Sequence, residues 1–515
     1  MNFYNSSILV VLSFAIYLYW YFKKTFKFFE KHGIPYVKGN MTLRSFRKPL
    51  ADVHRDLYRE LEPHKFGGVF NMMKPNIIVR DPKLIKQILI RDFSFFSDRG
   101  IDIDENTDPL AHHLFTMKGD DWKNLRIKLT TIFTSGKMKM MFPLLITCGK
   151  NLHKIIDDLP YDESFDAKDL FARYTSDAIG SCAFGLETGS LENPNSEFRM
   201  MGKKFSEFRI KSLIRVLLPI PSRLAKLLDL TLIDSNLQKY FKDMVDTTVK
   251  YREKNNITRN DFLDLMIALK NNTMLQKFQD TGDLEDLQKL LEQIGDKFVK
   301  SDVVMTNVSL AAQALLFFGA GSDTASTTLA YALLELSLNP AMQDKLRQEI
   351  NHVLATNDDQ FTYEAMKQTK YMDMVIAETL RKYPPAPTLM RKSNENYKIL
   401  NTNIIIPAGT SITIPIFGIH SDEKYYDNPE EFRPERFTKE EVAKRMNYTY
   451  LPFGGGPRVC IAERFAKIKV KIAMVYALKD FSYRVSPQMK LPVEFEKNYG
   501  TTGPRDGVHL IKQRL

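Results

Sequence analysis

Apolar residues along this chain fall mostly into long stretches with helical spacing, and short alternating runs are few. Residues 302–338 form the longest interior stretch of this kind and predict one long, mostly buried helix. Alternation occurs at residues 69–79, where apolar positions flank Lys74, Pro75 and Asn76 and predict a β-hairpin that turns at these three residues. The pattern therefore predicts a mainly α fold with small β-sheets.

A different kind of apolar stretch lies at the amino end of the chain. Residues 1–22 contain no charged side chain and end in a cluster of tyrosine and tryptophan, after which lysines begin at Lys23. A helix of about 20 apolar residues can cross a bilayer, aromatic residues mark its interface, and lysines favour the cytoplasmic side. A cleaved secretory signal is the alternative, but its basic residues would precede the apolar run. We predict a transmembrane anchor at 1–22, a basic hinge at 23–39 and one large domain at 40–515.

Composition narrows the class of protein further. The 515 residues are 44% hydrophobic and 26% charged, which is typical of a globular protein with an ample core. The net charge of +11 is spread along the chain and favours acidic membrane or protein surfaces over nucleic acid. The cysteines, Cys148, Cys182 and Cys460, are few and odd in number, which indicates a reducing compartment without structural disulfides. Cys148 and Cys182 are predicted to be core residues.

The stretch from Phe453 to Cys460, FGGGPRVC, runs directly into a helical pattern. Its glycines allow the backbone to pass close to a flat ligand, and Pro457 stiffens the approach to the cysteine. At a helix start, free backbone N–H groups and the helix dipole are expected to favour a thiolate, which is a metal ligand. The Arg458 guanidinium suits a carboxylate. A lone cysteine is nevertheless more often a small buried apolar residue.

Three other patterns could carry chemistry, and each has a purely structural alternative. Residues 320–324 read Ala-Gly-Ser-Asp-Thr inside the long helix, where glycine costs about 1 kcal/mol relative to alanine. The acid and hydroxyl could open a groove and relay protons, or the hydroxyls could simply bond back to i−4 carbonyls. Trp122 and Arg126 share a helical face and can both donate to a carboxylate, but such pairs are usually surface stacks. Glu378 and Arg381 predict an ion pair of a kind that usually stabilises little.

The spacing of Phe453, Gly456, Arg458 and Cys460 resembles the ligand loop of the cytochrome P450 superfamily of haem-thiolate monooxygenases. Ala462 stands where that family generally has glycine. The other three patterns occur in the family's order, and residues 130–143 are similar to insect microsomal members, most of all to family six. The resemblance covers essentially the whole chain and implies a single large haem domain behind the anchor.

The resemblance also implies roles for individual residues. Cys460 would be the axial ligand of the iron of haem b. Residues expected to hold the haem, in the loop or at its propionates, are Phe453, Gly454, Gly456, Arg458, Trp122, Arg126 and Arg391. In the long helix, Thr324 and Asp323 would protonate iron-bound dioxygen, Gly321 would make room for it, and Ala320 belongs to the same motif; Ala325 departs from the usual Thr or Ser. The residues expected to form a buried structural network are Glu378, Arg381 and Arg436.

The implied activity is insertion of one oxygen atom of O2 into lipophilic small molecules, such as xenobiotics, plant toxins, insecticides or endogenous lipids and hormones. The chain lacks a nucleotide-binding glycine motif, so electrons would come from a partner protein. The resemblance implies that this partner is a cytochrome reductase that uses NADPH, with cytochrome b5 as a further candidate. The enzyme would lie on the cytoplasmic face of the endoplasmic reticulum membrane. Basic residues that could dock the reductase are Lys123, Lys128, Arg464, Lys467, Lys469 and Lys471.

Two rival functions stay open at this point. An oxygen-independent haem-thiolate isomerase or dehydratase would not need Asp323 and Thr324, and a membrane-tethered carrier of haem or a hydrophobic ligand would consume no NADPH. Three further segments are interpreted through the resemblance or from their composition. Residues 99–117 would roof the substrate pocket, residues 198–230 are either a solvated helix pair or a lid that dips into the membrane interface, and residues 255–301 are predicted to be exposed.

Overall fold

The computed structural model describes residues 25–207, 209–217, 220–259, 261–271, 305–497 and 500–515, together with Trp20 and Lys23. The predicted anchor at 1–22 lies outside these ranges except for Trp20, and so does most of the polar stretch predicted to be exposed. Within the described ranges, every helix is either too short or too polar to cross a bilayer.

Helices make up most of the described chain, as the apolar pattern predicts. In chain order they are α1 Phe28–Lys31, α2 Met41–Ser45, α3 Leu50–Glu60, α4 Pro82–Lys86, α5 Gly119–Thr130, α6 Ser135–Asp157, α7 Ala167–Ile179, α8 Glu197–Ser206, α9 Ile210–Leu217, α10 Ser222–Leu227, α11 Ser235–Asn255, α12 Phe262–Lys270, α13 Asn307–Leu338, α14 Pro340–Ala355, α15 Lys370–Lys382, α16 Ile416–His420, α17 Lys439–Lys444 and α18 Glu463–Leu478.

The strands are short and build small sheets. They are β1 Tyr36–Asn40, β2 Phe66–Asn71, β3 Lys74–Val79, β4 Ser164–Asp166, β5 Leu389–Lys392, β6 Tyr397–Lys398, β7 Ile405–Ile406, β8 Ser411–Ile414, β9 Ser482–Val485 and β10 His509–Gln513. A five-stranded sheet has the order β1-β2-β3-β8-β5, a second sheet has the order β4-β10-β9, and β6 pairs with β7. Because β3 and β8 run parallel with Ile77 opposite Ile412, the large sheet joins the two halves of the chain.

The predicted hairpin exists, but its predicted turn is wrong. The turn lies at Met72 and Met73, where Met72 has a left-handed φ of 52°, and Lys74 begins β3. Pro75 is tolerated in the strand because β8 begins to pair only at Asn76, so no bond to β8 is lost at the missing N–H. Helix α4 follows β3 and is capped by Asp81, whose side chain accepts from the amide of Leu84 at 2.9 Å, and Pro82 is its first residue.

The long helix α13 is the centre of the fold and packs against α7, α11, α15 and α18. It begins after a capping box in which Thr306 Oγ1 accepts from the amide of Ser309 at 3.2 Å and Ser309 Oγ accepts from the amide of Thr306 at 2.7 Å. It ends at Leu338, because Pro340 starts the next helix. Residues 325–337 are all buried, as the apolar pattern predicts.

The prediction of exposure at residues 255–301 is correct for most of residues 255–259 but wrong for residues 261–269. Residues 262–269, which form nearly all of α12, are buried, and α12 packs against α13. The helix is capped by Asp261, whose carboxylate forms an ion pair at 2.6 Å with Arg252 of α11, both groups being buried. The apolar run is short and flanked by charged sequence, so it is lost when hydropathy is averaged over the longer stretch.

The Glu378–Arg381 pair lies in the interior instead of on a solvated helix face. Arg381 donates from Nε and Nη2 to the two carboxylate oxygens of Glu378 at 2.7 and 2.8 Å, and Arg436 Nε lies 3.3 Å from the same carboxylate. Arg381 Nη1 also donates to the carbonyl of His420 at 3.1 Å. The network therefore ties α15 to the segment that precedes the cysteine loop.

Replacement of Glu378 by alanine is expected to lower the free energy of unfolding by about 3–5 kcal/mol, because Arg381 and Arg436 would keep buried charge without a partner. Chemical denaturation measures the change. Glu435→Ala is the matched control: it removes an ion pair at 2.8 Å to Lys345 in which both side chains are about half exposed, and a cost below about 1 kcal/mol is expected. Equal losses in the two variants would contradict the buried network.

Candidate active site

The loop from Phe453 to Cys460 is held by its own backbone. The amide of Cys460 donates to the carbonyl of Phe453 at 2.9 Å, and the amide of Val459 donates to the carbonyl of Gly456 at 2.9 Å. Gly454 and Gly456 have φ of 81° and 70°, values that L side chains rarely adopt. A Cβ on Gly456 would overlap the carbonyl oxygen of Leu89, so this glycine is also required by a close approach of two backbone segments.

Cys460 differs from the other two cysteines in its surroundings. Cys148 and Cys182 are buried, as predicted, whereas the side chain of Cys460 is exposed. Burial raises the pKa of Cys460, while the amide of Ala462 and the charge of Arg126 lower it. The thiol is thus accessible from a space within the fold.

The predicted effect of the backbone N–H groups on the pKa of Cys460 has the expected direction, but burial outweighs it. Helix α18 begins at Glu463 with Ala462 at its N-cap; burial raises the pKa of Cys460 by more than the amide of Ala462 lowers it. A coordinated metal ion deprotonates a thiol by itself, so this finding does not weaken the thiol as a candidate ligand. Ala462 has a φ of −101°, a conformation that does not require the glycine usual in the family.

The Ala-Gly-Ser-Asp-Thr stretch is where α13 changes from fully buried to partly accessible. Ala320 is exposed and Thr324 is half-buried, although both lie in the middle of the central helix, so they face an interior space. Thr324 Oγ1 donates to the carbonyl of Ala320 at 2.6 Å, which is the back-bond that the structural alternative requires. The Thr324 hydroxyl is therefore held in one orientation by this bond and is also accessible.

Gly321 packs closely against the neighbouring helix α7. A Cβ at this position would lie 2.6 Å from the Cδ1 atom of Ile179 on α7. The glycine therefore lets α13 approach α7 closely.

Asp323 is held by two partners that the sequence did not reveal. Lys168 of α7 donates to its Oδ1 atom at 2.7 Å, and the hydroxyl of Thr501 donates to Oδ2 at 2.8 Å. Burial alone would raise the pKa of Asp323, but the charge and hydrogen bond of Lys168 outweigh it and hold this pKa below its usual value. The carboxylate is therefore ionised at neutral pH.

Arg458 anchors the predicted roof loop to the cysteine loop. Its Nε donates to the carbonyl of Ser97 at 2.9 Å and its Nη2 to the carbonyl of Met117 at 2.8 Å. The guanidinium lies 3.9 Å from the centre of the Trp122 ring, which is a close cation–π contact. Burial lowers the pKa of Arg458 to about 9, and the charge of Arg391 acts in the same direction.

Positive charge accumulates around this anchor. Arg126 of α5 and Arg391 of β5 are buried, and the Nε atom of each has no hydrogen-bond partner among the described residues. Burial lowers the pKa of both to about 10. Asp98 is 3.8 Å from Arg458 and offers one negative charge. Unpaired donors and surplus charge fit a ligand that carries two carboxylates, such as haem with its propionates.

Arg99 belongs to the same cluster and was missed by the sequence analysis. Its guanidinium donates to the carbonyls of Phe115 at 3.0 Å and Arg458 at 3.3 Å. Burial, followed by the charges of Arg391 and Arg458, lowers its pKa far below the usual value. In the sequence it is one basic residue in an irregular, Asp-rich stretch, and no local pattern distinguishes it.

Comparison with known proteins decides the family. The family model for cytochrome P450 matches residues 32–510. The chain belongs to the cytochrome P450 family. Among relatives, Probable cytochrome P450 6a13 of Drosophila melanogaster is 38% identical over 98% of this chain and 99% of its own length. Cytochrome P450 6k1 of Blattella germanica is 36% identical over 98% and 95%, and Cytochrome P450 6A1 of Musca domestica is 35% identical over 98% and 97%.

The predicted resemblance to insect family six is thus confirmed. The protein is a haem-dependent cytochrome P450 monooxygenase, and its cofactor is haem b, which P450 proteins bind through a cysteine thiolate. These relatives favour neither of the two rival functions, the carrier or the oxygen-independent isomerase. The accessible thiol and the unpaired arginine donors fit this cofactor.

The predicted reductase-docking residues of this P450 divide into two groups. Lys469 and Lys471 are buried, so their assignment to a docking surface is wrong. Lys471 pairs with Asp373 at 2.7 Å beside α15. The other four residues, Lys123, Lys128, Arg464 and Lys467, remain accessible.

Substitution of Gly456 by alanine is expected to abolish stable haem incorporation, because a Cβ there overlaps the Leu89 carbonyl and φ is left-handed. The ratio of Soret to protein absorbance of the purified protein measures incorporation. Gly455→Ala is the control, since its φ is −162° and a Cβ would come no closer than 3.5 Å to a neighbour. A P450 that loads haem equally in both variants would contradict the tight loop.

Proposed function

We propose that Cys460 is the axial ligand of the haem iron and that Phe453, Gly454 and Gly456 shape the loop on which it is presented. The observation that carries this proposal is that Cys460 alone of the three cysteines is exposed, on a loop fixed by left-handed glycines beside a surplus of buried positive charge. Arg126, Arg391, Arg458 and Trp122 would hold the propionates, with Arg99 as a further donor. Bound haem supplies the oxidation chemistry, and the protein supplies orientation, a proton route and an apolar pocket.

On the other side of the site, the residues of α13 would deliver protons. The Thr324 hydroxyl is accessible and held in place by its bond to the Ala320 carbonyl. The Asp323 carboxylate is ionised and fixed between Lys168 and Thr501, so it must leave at least one of them before it can carry a proton toward Thr324. Lys168 would thus limit how often the carboxylate turns inward.

Substrates of this proposed site are lipophilic small molecules that enter beneath the roof loop. Asp108 of that loop is buried and accepts from the amides of Leu232 and Ile233 at 2.9 and 3.2 Å, and Asp104 pairs with Arg215 at 3.1 Å. The contact of Asp104 with Arg215 joins the roof to the segment 198–230 and supports the interpretation of that segment as a lid, and the contacts of Asp108 lie just beyond it. Xenobiotics, plant toxins, insecticides and endogenous lipids or hormones all fall within this class.

The proposed location is the cytoplasmic face of the endoplasmic reticulum membrane, with residues 1–22 as the anchor. Exposed leucines on and beside α10, Leu224, Leu227 and Leu228, lie next to Arg223 and Lys226 and support a membrane contact by the lid segment. Electrons would come from NADPH through a cytochrome reductase, with cytochrome b5 as a second donor. Lys123, Lys128, Arg464 and Lys467 are the docking residues that this proposal retains.

The proposal is tested first by the visible spectrum of the dithionite-reduced protein under carbon monoxide, followed by turnover of lipophilic substrates with NADPH and reductase. Wild-type protein is expected to show the strongly red-shifted Soret band of thiolate-ligated haem, and Cys460→Ala is expected to lose it together with turnover. Cys182→Ala is the control, because this cysteine is buried in the core. A red-shifted band in the Cys460→Ala protein would refute the ligand assignment.

Replacement of Thr324 by alanine is expected to divert electrons from product to hydrogen peroxide, because the oriented hydroxyl that holds a proton is lost. Product and peroxide formed per NADPH measure this coupling. Ser337→Ala is a matched control, since Ser337 Oγ makes the same kind of i−4 bond, at 2.7 Å to the Leu333 carbonyl, in a buried part of the same helix. Unchanged coupling in the Thr324 variant, or equal losses in both variants, would argue against the proton role.

A further inference from the structure

Lys469 is a buried lysine in the interior of the molecule for which the proposed mechanism has no use. Its residue is 1% exposed, and within the described ranges it forms no ion pair with a carboxylate. A buried charge without an opposite charge is costly, and burial lowers the pKa of Lys469 to about 7. By contrast, the neighbouring buried lysine of α18, Lys471, has Asp373 as a partner.

The polar partner of Lys469 lies in the active site. Its Nζ atom donates to the carbonyl oxygen of Gly321 on α13. One residue earlier, the carbonyl of Ala320 accepts from the Thr324 hydroxyl. Two successive carbonyls of α13 therefore accept from side chains, in the same turn that carries Asp323 and Thr324. Side-chain donors of this kind compete with the i→i−4 bonds of a helix and set its local geometry.

The other groups around Lys469 do not offer it a charge of opposite sign at neutral pH. Cys148 of α6 and Cys182, directly after α7, are the titratable groups that act on its pKa, and burial raises the pKa of both thiols, that of Cys148 to about 12. The hydroxyl of Tyr174 on α7 donates to the backbone carbonyl of Lys469 at 3.1 Å, and the Phe465 ring of α18 lies 5.6 Å from Nζ. The Gly321 carbonyl is thus the acceptor that the ammonium faces.

We propose that Lys469 is a positioning residue for the oxygen-activating turn of α13, where it holds the Gly321 carbonyl and thereby sets the place of Thr324. Because α18 follows the cysteine loop, this bond joins the helix that carries the proton route to the segment that carries the thiol. The proposal rests on the proposed role of Thr324. A charged donor makes a stronger hydrogen bond than a neutral one, so loss of the lysine proton weakens the connection.

The test uses holoenzyme with reductase and compares Lys469→Met with Lys471→Met, which removes a buried lysine of the same helix that does not contact α13. Wild type and Lys471→Met are expected to lose coupling as the pH rises through about 7, the pKa of Lys469. Lys469→Met is expected to form several-fold more peroxide per product at pH 6.5 and to lack this pH step. Equal coupling and an equal pH profile in Lys469→Met and wild type would overturn the proposal.

A second measurement does not depend on turnover. The folded pKa of about 7 lies below the usual 10.5 of lysine, so between these values the unfolded chain holds a proton that the folded protein has lost. The free energy of unfolding should therefore rise with pH in this window for wild type, and less so for Lys469→Met. If Lys469→Met does not accumulate, Lys469→Gln serves in its place and should also lack the pH step.

The two measurements separate failure of this proposal from failure of the proposed function. If wild type oxidises substrates but both lysine variants match it in coupling and in the pH dependence of unfolding, the positioning role is wrong and the monooxygenase site stands. If wild type and Lys469→Met differ only in the pH dependence of unfolding, Lys469 is a buried titrating group without a positioning role. If wild type consumes no NADPH with any lipophilic substrate, the proposed proton route fails and the positioning role fails with it.

Discussion

Buried positive charge beside the cysteine loop is the constraint on which the site depends. Four arginines from different segments meet here: Arg99 of the roof loop, Arg126 of α5, Arg391 of β5 and Arg458 of the cysteine loop. Asp98 offers only one negative charge to balance them. Bringing such groups together without a counter-charge costs several kcal/mol per ion. A ligand with two carboxylates would remove this cost and would at the same time join four segments that are distant in sequence. Haem binding is therefore expected to contribute to the stability of the fold as well as to catalysis.

The interface between α7 and α13 determines the other half of the site. Gly321 lacks a side chain where Ile179 packs, so the two helices approach closely just at the turn that carries Asp323. At the same interface Lys168 reaches the Asp323 carboxylate and keeps it ionised despite burial. A single helix pair thus sets both the backbone position of the turn that carries Asp323 and Thr324 and the charge state of Asp323. A substitution that shifts α7 would change both properties together.

Local sequence patterns predicted those features that depend on local geometry. The spacing of the cysteine loop, the shared face of Trp122 and Arg126 and the extent of α13 all follow from positions close together in the chain. Arg99 and Lys168 could not be found in this way, since each meets its partners only after distant segments pack. The same reason explains why Lys469 was assigned to a docking surface: α18 has charged residues along most of its length, and only the packing of α13 and α7 shows which of them are covered.

Helix α18 places its basic residues in two different electrostatic environments. Near its start, Arg464 and Lys467 are accessible, where a charge costs little and can attract an acidic partner. Further along, Lys469 and Lys471 enter the core, where a charge is kept only if a specific acceptor compensates for lost hydration. Lys471 pairs with a carboxylate, but Lys469 donates to a backbone carbonyl in the α13 turn that carries Asp323 and Thr324. Burial of the Lys469 charge without a carboxylate partner is costly. The geometry that Lys469 imposes on α13 through the Gly321 carbonyl therefore explains this lysine more simply than a contribution to stability does.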